Sequence, residues 1–205
     1  MRKLIVAVMV SLDGVIQGPG GPDEDRSGGF ALGGWAWPYA SDGEAMDGLL
    51  SHPFALVLGR RTYDIFAGYW PNVSRDAPHG AIADAFNAAS KHVATHYPDT
   101  LAWANSQPLG QDVVGALRAL KQQEGPDLVT QGSSDLLHQL LASDVVDELR
   151  LLVYPVLLGR GKRLFDDDAQ PTAFRLSDSR ITSTGVVVSR YLRDGDVRTG
   201  SFGDD

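Results

Sequence analysis

Short apolar runs of β-type residues alternate with helical segments along most of the chain, and this order constrains the fold more than any other feature. Residues 3–12 are apolar at nearly every position, as expected of a central strand that is covered on both faces. The same patterns predict strands at residues 54–58, 91–95, 101–104 and 127–131, and helices at residues 44–51, 81–90 and 112–123. Residues 61–66 can begin a further helix, and residues 132–134 lead into one that carries Leu136, Leu137, Leu140 and Leu141. Strands that alternate with helices indicate an α/β protein with a parallel sheet and helices on both of its faces.

The last part of the chain has a different pattern. Three further apolar runs, at residues 148–156, 173–179 and 185–192, have little helix between them, so we expect the sheet to end in antiparallel strands. Residues 194–205 are polar and rich in Gly and Asp, which predicts an unstructured tail. A chain of 205 residues without a recognisable linker is typical of one domain, here residues 1–193.

Composition excludes several classes of function. A net charge of -8 without any run of Lys and Arg argues against nucleic acid as a partner, because phosphate backbones are bound by many cations at once. The apolar run at residues 4–12 is about half as long as a membrane helix requires. No cysteine is present, and His92 and His96 lie too far apart along a strand to share a metal ion. We therefore expect a cytoplasmic protein that binds neither a membrane nor a metal.

A glycine-rich segment follows the first strand. Residues 13–43 hold nine of the 23 Gly together with Trp35, Trp37 and Tyr39, and a loop of this length is usually functional or disordered. The aromatic side chains either pack in the core or form a flat wall for a heterocyclic ligand. Asp42 and Glu44 follow, either as ordinary acids at a helix start or as groups that contact a substrate.

Two junctions between a strand and a helix are suited to bind an anion. Residues 59–62 read Gly-Arg-Arg-Thr and residues 132–134 read Gly-Ser-Ser, and each follows a buried strand. The free N–H groups of a helix start attract anions, although Gly and Ser are also common there for steric and capping reasons. Ligands of open α/β sheets bind beyond the carboxyl ends of the strands, where these two turns would hold one pyrophosphate. The turn at residues 11–14 leaves the same edge, either as a simple capped turn or facing the ligand.

These motifs resemble those of the dihydrofolate reductase superfamily. The resemblance rests on Ser11-Leu12-Asp13-Gly14, Gly59-Arg60-Arg61-Thr62-Tyr63, Gln131-Gly132-Ser133 and the segment at residues 146–165. The chain looks most like the branch similar to the reductase domain of the bacterial bifunctional riboflavin-biosynthesis protein, over residues 3–192. The resemblance implies a three-layer sandwich around a mixed, mostly parallel eight-stranded sheet, and NADPH as the cofactor.

The resemblance also implies roles for particular residues. Residues 59–62 would bind the cofactor phosphates, residues 95 and 96 would lie near the adenosine 2′-phosphate, residues 132–134 would hold the pyrophosphate, and residues 11–14 would border the nicotinamide. The residues assigned to the cofactor in this way are Ser11, Asp13, Gly14, Gly59, Arg60, Arg61, Thr62, Thr95, His96, Gly132, Ser133 and Ser134. Those assigned to the substrate are Trp35, Trp37 and Tyr154, with Asp42 or Glu44 delivering the proton.

The function expected from this resemblance is hydride transfer from NADPH to a C=N or C=O bond of a small pyrimidine- or pterin-like heterocycle. Reduction of 5-amino-6-(5-phosphoribosylamino)uracil in riboflavin biosynthesis is the preferred reaction, and reduction of dihydrofolate is the next. A non-catalytic NADP(H)-binding protein on the same fold is a third possibility. We also expect a homodimer, because the late apolar strands at residues 148–156 and 185–192 offer an edge or a face to a second copy.

Overall fold

An eight-stranded sheet forms the middle layer of the molecule in the computed structural model, which describes residues 1–40 and 52–203. The strands are β1 Leu4–Ser11, β2 Phe54–Gly59, β3 Lys91–Ala94, β4 Ser106–Pro108, β5 Asp127–Thr130, β6 Glu148–Tyr154, β7 Ala173–Ile181 and β8 Val187–Gly195. The α-helices in the described part are α1 Arg60–Tyr69, α2 Gly80–Ala88, α3 Val113–Gln122 and α4 Ser134–Leu141.

The strand order across the sheet is β4-β3-β2-β5-β1-β6-β8-β7. The strands from β4 to β6 in this order are parallel to their neighbours, whereas β8 pairs antiparallel with both β6 and β7. This arrangement confirms the predicted mixed sheet that ends in antiparallel strands. Because β1 lies in the middle of the sheet, both of its faces are covered, which explains its nearly continuous apolar sequence.

Helices cover both faces of the sheet. On one face, alternate residues of β1 such as Leu4 and Val6 pack with Leu117 of α3 and Leu136 of α4. On the opposite face, α1 and α2 cover β2 and β3 through a cluster of buried aromatic and aliphatic side chains, and the glycine-rich segment covers β1. No helix in residues 1–40 and 52–203 is both long enough and apolar enough to span a membrane.

The prediction of the fourth strand was wrong. Residues 101–104 form no strand, and β4 lies two residues further on, where Ser106 pairs with Lys91. Trp103 instead turns into the cluster under α1, where its backbone N–H donates to the Tyr63 hydroxyl at 2.8 Å. Asn105, at a φ of +61°, then redirects the chain into β4. The apolar residues of this segment therefore serve helix packing, which the sequence pattern did not distinguish from a strand.

Two other predictions concern segments at the limits of the described chain. The unstructured tail was predicted to begin at residue 194. Residues 194 and 195 instead lie at the end of β8, so the tail begins after residue 195. The remaining described residues of the tail, 196–203, form neither helix nor strand. The helix predicted at residues 44–51 lies outside the described residues, as do Asp42 and Glu44.

Candidate active site

Two neighbouring strands end at different heights at the carboxyl edge of the sheet. The pairing of β5 with β1 ends at Thr130 opposite Val6, whereas β1 continues to Ser11, which pairs with Tyr154 of β6 on its other side. The five further residues of β1 extend the strand by about 16 Å. The chain after β1 packs on one face of the sheet, and α4, which follows β5, packs on the other. Strand ends from which the chain departs to opposite faces form the usual ligand crevice of α/β proteins.

The two predicted anion-binding turns meet at this crevice. The Gly59 N–H donates to the Ser133 hydroxyl oxygen at 2.9 Å, and this hydroxyl donates to Oγ1 of Thr62 at 2.8 Å. The turns are in such close contact that a Cβ atom added at Gly59 would lie 3.0 Å from the Cβ of Ser133. Gly132 and Ser133 both have a positive φ, +64° and +68°, which turns the chain sharply from β5 into α4. The structure therefore brings residues 59–62 and 132–134 together.

Both helix starts present backbone N–H groups without a capping side chain. Gly59 is the N-cap of α1 and has no side chain, and the hydroxyl of Ser133, the N-cap of α4, bonds to Gly59 instead of its own helix. The first backbone bond of α4 runs from the Leu137 N–H to the Ser133 carbonyl. Uncapped N–H groups at a helix start carry partial positive charge and form a site for an anion.

Arg60 links the start of α1 to the end of β3. Its Nη1 lies 3.4 Å from Oγ1 of Thr95 and 2.5 Å from Oγ1 of Thr100, and its Nε bonds to Asp64 at 2.8 Å. The bonds to Asp64 raise the pKa of Arg60. Thr95 is within reach because the pairing of β2 with β3 ends with Gly59 opposite Ala94. Arg60 and Thr95 are thus neighbours, whereas His96 lies exposed beside them.

The turn after β1 is held by its own side chains. The Asp13 carboxylate accepts hydrogen bonds from the Ser11 hydroxyl at 2.6 Å and from the backbone N–H groups of Leu158 and Gly159 at 3.1 and 2.8 Å. The bond from Ser11, followed by those from the backbone, lowers the pKa of Asp13 to about 2. Both side chains therefore form a capped turn that fastens residues 158–159, and Gly14, with a φ of +84°, is the part of the turn without a side chain.

The aromatic residues of the glycine-rich segment divide between core and surface. Trp35 is buried, its Nε1 donates to the Gln17 carbonyl at 2.8 Å, and its ring packs edge-on against Tyr154 with centroids 5.3 Å apart. Burial raises the pKa of Tyr154. Trp37, in contrast, is 74% exposed. Trp35 is therefore a packing residue below the crevice, and the structure does not place Trp37 beside it as a common wall.

One charged residue at the crevice was missed in the sequence. Asp25, in the glycine-rich segment, forms ion pairs with Arg61 at 2.7 Å and with Lys162 at 2.8 Å. The one available signal was charge. Residues 23–25 are an acidic run, and the basic motifs at residues 60–61 and 160–163 required acidic partners. Nothing in the sequence showed that these segments meet.

Comparison with known families decides the classification. Residues 2–188 match the family model described as the RibD C-terminal domain. The chain belongs to this family. Two curated relatives are the uncharacterized proteins YyaP and YwjB of Bacillus subtilis (strain 168), each 24% identical. YyaP aligns over 95% of this chain and 96% of its own length, and YwjB over 94% and 98%.

Solved structures agree on the fold of this RibD C-terminal domain. A proposed riboflavin biosynthesis protein from Shewanella sp. PV-4 is 20% identical with a TM-score of 0.60, and covers 94% of this chain and 99% of its own. A pyrimidine reductase-like protein from Corynebacterium diphtheriae is 17% identical with a TM-score of 0.61, and covers 95% of this chain and 93% of its own. The fold is that of the dihydrofolate reductase-like domains, which confirms the predicted resemblance. The RibD C-terminal domain family is reductase-like, which supports an oxidoreductase activity for the chain.

Proposed function

We propose that this RibD C-terminal domain is an NADPH-dependent reductase that transfers hydride to a C=N or C=O bond of a small pyrimidine- or pterin-like heterocycle. The contact between Gly59 and Ser133 is the observation that carries the proposal, because it joins two uncapped helix starts at one point of the crevice. Two adjacent anion sites of this kind fit the two linked phosphates of a dinucleotide.

The residues present fit each charged part of NADPH. The N–H groups of residues 60–62 and 134–136 would bind the pyrophosphate, and the absence of a side chain at Gly59 and Gly132 leaves room for it. Arg60, beside the Thr95 hydroxyl, would bind the 2′-phosphate that distinguishes NADPH from NADH. When bound, NADPH supplies the hydride, and the protein orients the reacting groups and keeps water from them.

The substrate would lie beside the extended end of β1. There Ser11 adjoins Tyr154, and the buried aromatic pair of Trp35 and Tyr154 supports this end of the crevice. We propose Asp42 or Glu44 as the proton donor. The names of the two structural neighbours support a pyrimidine of riboflavin biosynthesis as the preferred substrate. Turnover assays also test the two alternatives. Oxidation of NADPH with dihydrofolate would indicate dihydrofolate reductase activity, and no oxidation with any heterocycle would indicate a non-catalytic NADP(H)-binding protein.

The strands expected to offer an edge or a face to a second copy, at residues 148–156 and 185–192, form β6 and β8, which lie inside the sheet, so the edge at this end belongs to β7. We further propose that two copies associate through the outer hairpin of β7 and β8. Ile181 is 72% exposed and Leu176 is 53% exposed on this hairpin, which ends the sheet. Exposed apolar side chains at a sheet edge favour pairing with a second copy.

Titration with NADPH, followed by the tryptophan fluorescence, tests the proposed cofactor. We expect quenching at micromolar NADPH and at least about tenfold weaker binding of NADH, because the charge-assisted bond of Arg60 to the 2′-phosphate is lost. Arg60→Gln should remove this preference, whereas Arg75→Gln, at a side chain that is 84% exposed and away from the crevice, should keep it. Equal binding of both dinucleotides, or of neither, would refute the proposal. Loss of the reduced-nicotinamide absorbance with each heterocycle then identifies the substrate.

A further inference from the structure

The glycine-rich segment forms a closed loop over the crevice. The Gly34 N–H donates to the Gly18 carbonyl at 2.8 Å, so residues 18–34 leave and return through a narrow neck at which both glycines have a positive φ. The buried side chain of Gln17 holds the tip of this loop: its Nε2 donates to the carbonyls of Asp25 and Ser27 at 3.1 and 3.0 Å. The position of Asp25 is therefore fixed by backbone contacts that do not involve its carboxylate.

The Asp25 carboxylate connects the two sides of the crevice. Oδ1 accepts from Nη1 of Arg61 at 2.7 Å and Oδ2 from Nζ of Lys162 at 2.8 Å. Arg61 lies in the first turn of α1, after β2, and the backbone of Lys162 bonds to Ile16 and to Gln17, after β1. Because β5 lies between β2 and β1, the three charged groups span the crevice at the end of β5.

The carboxylate is deeply held, whereas its two cations stay partly accessible. The Asp25 side chain is 10% exposed, compared with 58% for Arg61 and 34% for Lys162. Burial alone would raise the pKa of Asp25, but the hydrogen bonds from Lys162 and from the Ser27 N–H outweigh it and hold this pKa well below its usual range. Asp25 is therefore ionised and occupies both cations at neutral pH.

We propose that Arg61 and Lys162 form a phosphate subsite of the crevice, and that Asp25 is an internal anion which fills this subsite until a ligand phosphate displaces it. The subsite belongs to the NADPH crevice and so rests on the proposed function. Two cations on opposite sides of a crevice suit a tetrahedral phosphate, which offers more acceptor oxygens than a carboxylate and, as a monoester, also more charge. Because the Asp25 carboxylate is tethered beside the two cations, its effective concentration there is high. Only a ligand whose phosphate binds Arg61 and Lys162 more tightly than this carboxylate will displace it.

Calorimetric titration with inorganic pyrophosphate tests this proposal. Asp25→Asn keeps the backbone bonds to Gln17 and removes the negative charge that competes for both cations, so we expect at least about tenfold tighter binding of pyrophosphate than in the wild type, about 1.4 kcal/mol. Asp23→Asn makes the same change of net charge two residues away, at a side chain that is 82% exposed and pairs with Arg26, and should stay within about twofold of the wild type. Adding Arg61→Gln to Asp25→Asn should abolish the gain. Equal binding by the Asp25 and Asp23 variants would overturn the proposal.

Two further arms extend the test. Ribose 5-phosphate is titrated in place of pyrophosphate to represent a phosphate of the substrate. If Asp25→Asn increases the affinity for pyrophosphate more, the cofactor supplies the phosphate, and if it increases the affinity for ribose 5-phosphate more, the substrate does. Wild-type protein provides a measurement that needs no variant: pyrophosphate should speed trypsin cleavage after Arg26, whose side chain is 69% exposed, because displacement of Asp25 loosens the loop tip. An unchanged or slower rate, against sodium chloride at equal ionic strength, would contradict displacement.

The two proposals fail in different ways. If the wild type binds no NADPH but Asp25→Asn still gains affinity for pyrophosphate, the cofactor is wrong and the subsite stands. If NADPH binds as expected and Asp25→Asn gains no affinity for pyrophosphate, the cofactor stands and the subsite is wrong.

Discussion

Replacement of Gly59 by valine is expected to weaken NADPH binding by about 100-fold, which corresponds to roughly 3 kcal/mol. A Cβ at this position would lie 3.0 Å from the Cβ and 3.1 Å from the hydroxyl of Ser133, and the branched methyl groups of valine add further crowding. The start of α4 must then move away from the start of α1, which separates the two turns that we propose bind the pyrophosphate. The backbone of Gly59, with φ of -72° and ψ of 158°, is open to any residue, so the effect arises from contact and not from backbone strain.

Gly68, near the C-terminal end of α1, offers a matched control. A Cβ atom at Gly68 would meet no atom within 4 Å, so Gly68→Val should leave NADPH binding within about twofold of the wild type. Binding is measured by the same fluorescence titration, and circular dichroism confirms that both variants fold. If Gly59→Val bound NADPH as tightly as Gly68→Val, the contact between the turns would not be part of the cofactor site.

Replacement of Lys91 by methionine is expected to lower the free energy of unfolding by about 2–4 kcal/mol. The Lys91 side chain is fully buried, and its ammonium donates to the carbonyls of Asn87, Ala89 and Ala104 at 3.0, 2.8 and 3.0 Å. It also lies 4.3 Å from the ring centroid of Trp103. Methionine retains most of the volume but removes a donor from three carbonyl groups, of which, among the described residues, only that of Asn87 keeps a second one, from Nδ2 of Asn105. Two of the three carbonyls lie at the C-terminal end of α2, where a cation is favoured.

Urea unfolding measures this loss, with Lys3→Met as the control. The Lys3 side chain is 46% exposed and its Nζ lies 3.6 Å from Glu148, so its replacement should cost less than about 1 kcal/mol. Similar losses in the two variants would show that the buried bonds of Lys91 contribute little.

The stability contributed by Lys91 should also depend on pH. Burial lowers the pKa of Lys91 to about 8, whereas an unfolded chain holds this proton up to a pH of about 10.4. Between these values the unfolded state binds more protons than the folded state, so the free energy of unfolding rises with pH. The difference between wild type and Lys91→Met should therefore grow by about 1–3 kcal/mol from pH 8 to 10.4. A difference that shrinks over this range would reverse the sign of the assigned pKa shift.

The parts of the fold that could be predicted were those set by local patterns. The apolar run of β1 identified a central strand because both faces of that strand are buried, and the succession of strands and helices identified a mostly parallel sheet. The segment around Trp103 was mistaken for a strand because packing under a helix selects the same apolar residues as pairing in a sheet. Pattern alone does not separate these two causes.

The candidate site was predictable to the same extent. The sequence predicted that residues 59–62 and 132–134 lie together, because the carboxyl ends of parallel strands share one edge of the sheet. The sequence did not show that Trp35 is buried and Trp37 exposed, because the two residues lie two positions apart in one loop and only the tertiary structure decides their burial. Asp25 is 36 residues from Arg61 and 137 from Lys162, so only the folded loop reveals their contact.

A crystal structure determined with NADPH bound tests the central claim most directly. We expect the pyrophosphate between residues 59–62 and 132–134, and the 2′-phosphate within hydrogen-bond distance of Arg60 and Thr95. A dinucleotide bound elsewhere, or no dinucleotide at saturating NADPH, would contradict the assignment of this crevice as the cofactor site.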